Sequence, residues 1–280
     1  MGQGSGPAFT MKEIRKGVGY FSMSGGTIGW FVDGDNLVVI DSQFPEPAEI
    51  LLTELEKRTS RAIDVFFNTH HHGDHTSGNA VIIPKSVQSI AHENCKAWQK
   101  KVAVEGGKED GQAYPETTFK KKLSISLANE SITAEYFGNA HTSGDIVIHF
   151  EEANVVHLGD LVFNRHPPFI DRDAGASIVK WMDLLNKLHG RFDDDTRFIY
   201  GHGKGGWGVD GSREDLLVMH DFLGGILEHA RKGLIAGKSV DDIANVKTIP
   251  GFPDHYVDSA WGKAAIPRAV KTACAEVQGS

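Results

Sequence analysis

Apolar residues in this chain come in short blocks with two rhythms, separated by Gly, Asp, Asn and Ser. Residues 18–21, 27–32 and 37–41 read as strands. The loop Ser22-Met23-Ser24-Gly25-Gly26 follows the first, and the turn Asp33-Gly34-Asp35-Asn36 follows the second. An Asp-Gly step between apolar runs is a hairpin signal, because Gly adopts the positive φ a tight turn needs. Over 45–58 the rhythm changes. Ile50, Leu51, Leu52 and Leu55 form a stripe among Glu49, Glu54, Glu56 and Lys57, which predicts an amphipathic helix. The run Val65-Phe66-Phe67-Asn68 is the next strand, giving a βαβ-like unit. The second half repeats the outline, with strands over 131–137, 146–151 and 154–158 and a helix over 177–188 that aligns Ile178, Trp181, Leu184, Leu185 and Leu188. A strand over 197–200 and helices over 213–232 and 239–245 follow. Periodicity by itself predicts a mixed α/β protein.

Length changes this picture little: 280 residues suit one large α/β domain. We expect that domain over 14–280, closing with C-terminal helices. The Gly/Ser-rich start reads as a flexible tail or cloning remnant over 1–13. The net charge of −8 argues against a duplex nucleic-acid partner, which would need a basic face. The basic cluster Lys120-Lys121-Lys122 reads as a solvated loop or strand edge. No apolar run approaches a membrane span. Cys95 and Cys274 are too few and too far apart for a disulfide framework, and neither adjoins the motifs below. The expected partner is a small-molecule substrate, with no nucleic acid and no membrane. Oligomeric state is open, and so is location: cytoplasm, or periplasm if an export signal has been removed.

The chemistry sits where apolar runs end. Directly after the strand Val65 to Asn68 stands Thr69-His70-His71-His72-Gly73-Asp74-His75. Imidazole nitrogen and carboxylate oxygen are zinc ligands. The alternation His-x-His-x-Asp sends them off a strand end in two directions, enough to serve two ions. His71 faces the other way and is not expected to ligate. Downstream, His141 lies in Gly138-Asn139-Ala140-His141-Thr142-Ser143-Gly144-Asp145, Asp160 follows Val155-Val156-His157-Leu158-Gly159, and His202 lies between Gly201 and Gly203. Taken singly, each has a plain structural reading as a loop histidine, a turn cap or a turn histidine. Together, each at the end of a separate apolar run, they predict one metal site.

The set His70-x-His72-x-Asp74-His75, then His141, Asp160 and His202, resembles the metallo-β-lactamase superfamily of binuclear metallohydrolases in order, spacing and strand-end context. The resemblance covers roughly residues 14 to 245 and implies an α/β, four-layer αββα sandwich. It implies two Zn2+ ions, one held by His70, His72 and His141, the other by Asp74, His75 and His202, with Asp160 bridging. It also implies that a metal-bridging hydroxide attacks a carbonyl carbon and that Asp74 orients it as a catalytic residue. Asp41, at the end of its strand, resembles the family's early aspartate and would support a ligand or loop. The β-lactam-hydrolysing members typically carry Cys or Ser where this chain has Asp160. That points to the glyoxalase II- or lactonase-like branch, hence a carboxylic ester, lactone or thioester, with a side activity on β-lactams left open. The alternative on the same scaffold is an iron-dependent persulfide dioxygenase-like oxidoreductase.

The segment Phe163 to Arg172 follows Asp160 and is stiffened by Pro167-Pro168, so its start must lie beside the metals. It predicts substrate contacts at Arg165, His166, Phe169 and Arg172. Met23 in the 22–26 loop is expected to form an apolar wall with Phe169. The competing reading pairs Arg165 and Arg172 with Asp171, Asp173 or Asp193, as a brace for the segment.

Overall fold

The computed structural model describes residues 8–279. Their contacts divide them into two compact units, Met1–Tyr136 with Ile146–Gly159, and Phe137–Asp145 with Asp160–Ser280.

In the first unit a seven-stranded sheet runs in chain order: β1 (Thr10–Arg15), β2 (Val18–Ser22), β3 (Ile28–Val32), β4 (Leu37–Ile40), β5 (Ile63–Asn68), β6 (Ser86–His92) and β7 (Thr117–Phe119). Pairing is antiparallel from β1 to β4 and parallel from β4 to β7. Parallel neighbours need crossovers. They are supplied by α1 (Pro45–Glu56), by α2 (Gly73–Thr76) with α3 (Asn79–Ile82), and by α4 (Glu93–Glu105). Every residue of β4 is buried, which is why its sequence is an unbroken apolar run rather than an alternation. Pro45 starts α1, where its missing N–H costs nothing. The helix buries Leu51, Leu52 and Leu55 on a core that includes Phe21, Ile28, Trp30 and Phe66. An antiparallel ribbon completes the unit: β8 (Lys122–Ser126), β9 (Ser131–Tyr136), β10 (Ile146–Phe150) and β11 (Val155–His157).

The expected tail needs correction at its inner end. Thr10 to Glu13 belong to β1 and pair with β2. With apolar residues only at Met11 and Ile14, this strand is too short to show a period, and Met11 packs on the core. Residues 1–7 of that tail lie outside the described residues.

The second unit contains β12 (Phe163–Asn164), α5 (Ile178–Arg191), β13 (Arg197–Ile199), β14 (His202–Gly203), β15 (Asp210–Gly211), α6 (Glu214–Ile235), α7 (Val240–Ala244) and α8 (Ala260–Gln278). β12 is parallel to β14 and β13 is antiparallel to β15. α6 packs against α5, α7 and α8. α5 buries the predicted stripe. Its first turn is capped twice. Ser177 Oγ accepts from the Lys180 N–H at 3.4 Å, and the Glu276 carboxylate accepts from the N–H groups of Ile178 and Val179 at 2.9 and 3.1 Å. Negative charge at a helix N-terminus meets unpaired donors and the positive end of the helix dipole.

Among the described residues, no helix is long and apolar enough to cross a membrane.

Candidate functional site

The ligand loop of the first unit is built on neighbouring strand ends. Register pairs Ile40 with Phe67, so Asp41 and Thr69 emerge side by side. Asp41 has a left-handed backbone, φ 63°, and is completely buried. Its Oδ1 accepts from the Thr69 N–H at 2.8 Å, and its Oδ2 accepts from Thr69 Oγ1 at 2.7 Å and from His75 Nδ1 at 2.8 Å. A buried carboxylate is tolerable only with such donors.

These contacts settle two tautomers. Because Nδ1–H of His75 donates to the carboxylate, Nε2 is left as the lone-pair nitrogen. Thr69 spends its hydroxyl proton on Asp41, so it must accept from His70 Nδ1 at 3.0 Å. That makes Nε2 the lone-pair nitrogen of His70 as well. One buried aspartate thus presents two imidazoles in ligating form, directly and through a threonine.

The rest of the loop is held by backbone. Ser42 N–H donates to the His75 carbonyl at 2.8 Å and Gly26 N–H to the Asp74 carbonyl at 3.1 Å. The Gln43 side-chain amide donates to the Gly26 carbonyl. A Cβ on Gly26 would overlap the His75 ring, and one on Gly25 would meet Asp74 Cβ at 2.8 Å. Both positions therefore require glycine. Gly159 has φ 50°, and a Cβ there would lie 2.6 Å from Thr69 Oγ1, so the residue before Asp160 must also lack a side chain.

In the second unit the His141 loop is closed by Asp145. Its carboxylate accepts from the Thr142 N–H at 2.7 Å and from Thr142 Oγ1 at 2.8 Å. This explains the Thr-Ser-Gly-Asp sequence after the histidine. His141 is fully buried, its ring 5.6 Å from Phe163 and 5.3 Å from Trp181. The pairing of Phe163 with His202 stacks those rings at 5.0 Å and 14°. His166 lies parallel to His202 at 5.9 Å. Burial, and then the neighbouring His202, push its pKa down to about 4, while Nδ1 contacts the Pro167 carbonyl at 3.1 Å.

The donor atoms of each unit suit a metal. Bonds of about 2.0–2.1 Å to a tetrahedral zinc separate its ligand atoms by about 3.3–3.4 Å. Asp160 Oδ2 lies 3.4 Å from His141 Nε2 and 3.3 Å from His202 Nε2. His70 Nε2 and His72 Nδ1 are 3.1 Å apart, and Asp74 Oδ2 and His75 Nε2 are 3.9 Å apart. Within the first unit the structure brings together the predicted His70, His72, Asp74 and His75; within the second, His141, Asp160 and His202. His71 is buried against Trp98, rings 5.6 Å apart. Cys95 and Cys274 are buried free thiols.

The residues expected at the substrate have partners of their own. Arg165 Nη1 donates to Asp215 Oδ1 and to Asn164 Oδ1, both at 3.1 Å, and its guanidinium lies 4.6 Å from the Trp207 ring. Arg172 pairs with Glu276 at 3.7 Å. The arginines are thus braced, Arg165 by Asp215 and Arg172 by Glu276. Phe169 faces the Arg268 guanidinium at 5.4 Å, and Met23 packs on the first unit's core. Sequence reasoning missed Thr69 and Trp207. The position of Thr69 between a strand and the first ligand was the available signal for it.

The sequence model of the metallo-beta-lactamase superfamily matches residues 24–203. Metallo-beta-lactamase IND-1 of Chryseobacterium indologenes is 25% identical over 166 residues, which is 59% of this chain and 66% of that protein. A hydroxyacylglutathione hydrolase of Gloeothece citriformis is 30% identical over 59% of this chain and 58% of its own length. The 2,4-dinitroanisole O-demethylase subunit alpha of a Nocardioides species is 24% identical over 82% of this chain and 66% of its own length. The chain thus spans somewhat under two thirds of the curated relatives it matches. Among solved structures, a sec-alkyl sulfatase, PisA1, superposes with a TM-score of 0.75 at 14% identity, over 96% of this chain and 50% of that one. A metallo-beta-lactamase from Pontibacter korlensis gives 0.63 at 18% identity, over 78% and 99%. These likenesses show the fold, the expected α/β metallo-β-lactamase fold. By the match across most of its length, the chain belongs to the metallo-beta-lactamase superfamily.

Proposed function

We propose that this chain is a zinc-dependent hydrolase of a carboxylic ester, lactone or thioester, a small molecule. In this reading His70, His72 and His141 hold one ion, Asp74, His75 and His202 hold the other, and Asp160 serves both. The observation that carries it is Asp160 Oδ2, one oxygen at ligand-edge distance from two different imidazoles. This geometry supports reading Asp160 as a ligand common to both sets. Membership of the superfamily and the hydroxyacylglutathione hydrolases among the relatives support the reaction class.

Zinc bound there would supply a water of lowered pKa and polarise the carbonyl. The chain's own residues do the rest. Asp41 and Thr69 orient His70 and His75 through Nδ1, which leaves Nε2 of each as the nitrogen that would ligate. The Asp74 carboxylate is partly exposed, unlike His75, and in this reading it orients the attacking water by accepting a hydrogen bond from it. The rings of Phe163 and Trp181 exclude solvent around His141. No serine or cysteine nucleophile is called for.

The test is metal analysis of protein made without added metal, joined to a screen of esters, lactones, glutathione thioesters, β-lactams and glutathione persulfide. The relative matched over 82% of the chain adds an aryl methyl ether to that panel. About two zinc ions per chain and turnover of an ester, lactone or thioester are expected. A single iron with persulfide oxidation would replace this reading with the iron-dependent oxidoreductase.

A further inference from the structure

Trp207 is 47% exposed, although tryptophan is normally among the more deeply covered side chains. It lies at the tip of Lys204-Gly205-Gly206-Trp207-Gly208, between β14 and β15. The tip is not loose at its base. Gly203 packs so closely on the Gly208 carbonyl that a Cβ would overlap it, and Trp207 N–H donates to the Lys204 carbonyl at 3.0 Å. Asn164 Nδ2 donates to the carbonyls of Trp207 and Gly208 at 3.2 and 3.1 Å. Asn164 pairs with Gly203 in the same two-residue ladder that pairs Phe163 with His202. The backbone that carries the indole is therefore fixed to the strand pair that bears His202 and follows Asp160.

Arg165 covers one face of the indole and is itself immobilised. Its backbone is left-handed, φ 53°, a conformation that costs a non-glycine residue on the order of 1 kcal/mol and that clusters at functional sites. Asp215 holds the guanidinium, and Asp215 is held in turn by the Tyr200 hydroxyl at 2.9 Å and the Ser212 N–H at 3.3 Å. With its charge matched by Asp215, Arg165 is a backing for the ring rather than a grip for an anion. Asn164 ties the Trp207 carbonyl to the ladder position beside Gly203, the residue after His202.

We propose that the Trp207 indole, backed by Arg165, is the surface on which the substrate's apolar part docks, an aromatic ring or a medium-length acyl chain several bonds from the hydrolysed carbonyl. This rests on the hydrolase reading above and narrows its substrate class. An aromatic face offers apolar area and stacking at low entropic cost, and the arginine behind it keeps that face from collapsing onto the protein.

The experiment uses the full zinc-loaded chain and thioesters of one common thiol carrying acetyl, hexanoyl or 3-phenylpropanoyl groups. Wild type should prefer the two larger acyl groups by tenfold or more in kcat/KM. Trp207→Ala should lose tenfold or more on these, change less than twofold on acetyl, and keep its zinc content and Tm. Trp207→Phe should restore most of the loss. Independently of turnover, neutral 3-phenylpropanamide should quench tryptophan fluorescence saturably in wild type and not in Trp207→Phe. Equal losses on all three thioesters would make the pair a structural latch and overturn the proposal. So would unchanged kinetics. If wild type cleaves none of the three thioesters, the thioester form of the hydrolase reading fails, and the quenching titration still decides the fate of Trp207.

Discussion

Replacing His255 with phenylalanine should remove a defined part of the acid sensitivity of folding. His255 is 3% exposed, stacked on Phe222 at 3.9 Å and edge-on to Phe252 at 5.6 Å. Neither ring nitrogen has a hydrogen-bond partner among the described residues. Burial, and then the positive charges of Arg165 and Lys204, push its pKa from 6.5 down to about 4. The unfolded chain therefore takes up this proton near pH 6.5, while the folded chain resists it until about 4. The stability that a neutral His255 contributes is complete above 6.5 and is lost as pH falls toward 4. A gap of about 2.5 units corresponds to about 3 kcal/mol at the acid limit, and to about 1.3 kcal/mol between pH 7.5 and 5.5. For a chain of this size that is about 3–5 °C in Tm. Wild type and His255→Phe should be melted in chelator at pH 7.5, 6.5 and 5.5, so that loss of metal ligation is common to both. Other titrating groups are shared and cancel in the difference, and a constant offset from repacking the ring does not matter. The Tm of wild type relative to the variant should fall by about 3–5 °C across the range. A difference that does not move with pH would show that His255 is already solvated or paired when folded, and the reasoning would be wrong.

Three further outcomes follow from the site. Asp41→Asn puts an amide where three donors converge, so zinc affinity measured by chelator competition should drop about 10–100-fold; unchanged affinity would deny Asp41 its hold on His70 and His75. Gly26→Ala drives a methyl into the His75 ring and should cost about 1–3 kcal/mol in urea unfolding, an effect that an unaltered midpoint would contradict. Asp160→Ala removes the proposed shared ligand, so bound zinc should fall from about two per chain to one or fewer and most hydrolysis with it; full occupancy in the variant would mean that Asp160 is not a ligand.

Much of this was readable beforehand because it is local. β4, α1 and α5 announce themselves through unbroken or strictly periodic apolar residues, and the candidate ligands come where such runs give way to glycine-containing loops. α4 was illegible for the opposite reason. The residues it buries are Cys95, Gln99 and Ala103, a face too small and polar to show a period. α8 carries Pro267 in its interior, a residue that usually ends a helix. In the site, what escaped was long-range choice of partner. Thr69 looks like a spacer until it meets Asp41, 28 positions earlier. Arg165 has aspartates nearby in sequence yet pairs with one 50 positions away. Charge composition predicts that an arginine will find a carboxylate; only the fold decides which.

The cap on α5 has a consequence for the order of events in the cell. The carboxylate that completes the helix's first turn belongs to a residue 98 positions downstream of Ile178. At about 5–20 residues per second, a ribosome makes Glu276 about 5–20 s after Ile178. Through that interval the N–H groups at the start of α5 face water. The same turn also fixes the His141 loop, because Ser177 N–H donates to the Ala140 carbonyl at 3.0 Å. His141, encoded at the middle of the chain, thus waits for a residue made near the end of α8 before its setting is finished. The first unit, whose strands are all made by Gly159, has no such delay. The second unit is therefore the later of the two to be completed, and His141 and Asp160 are made well before the residue that finishes the α5 cap.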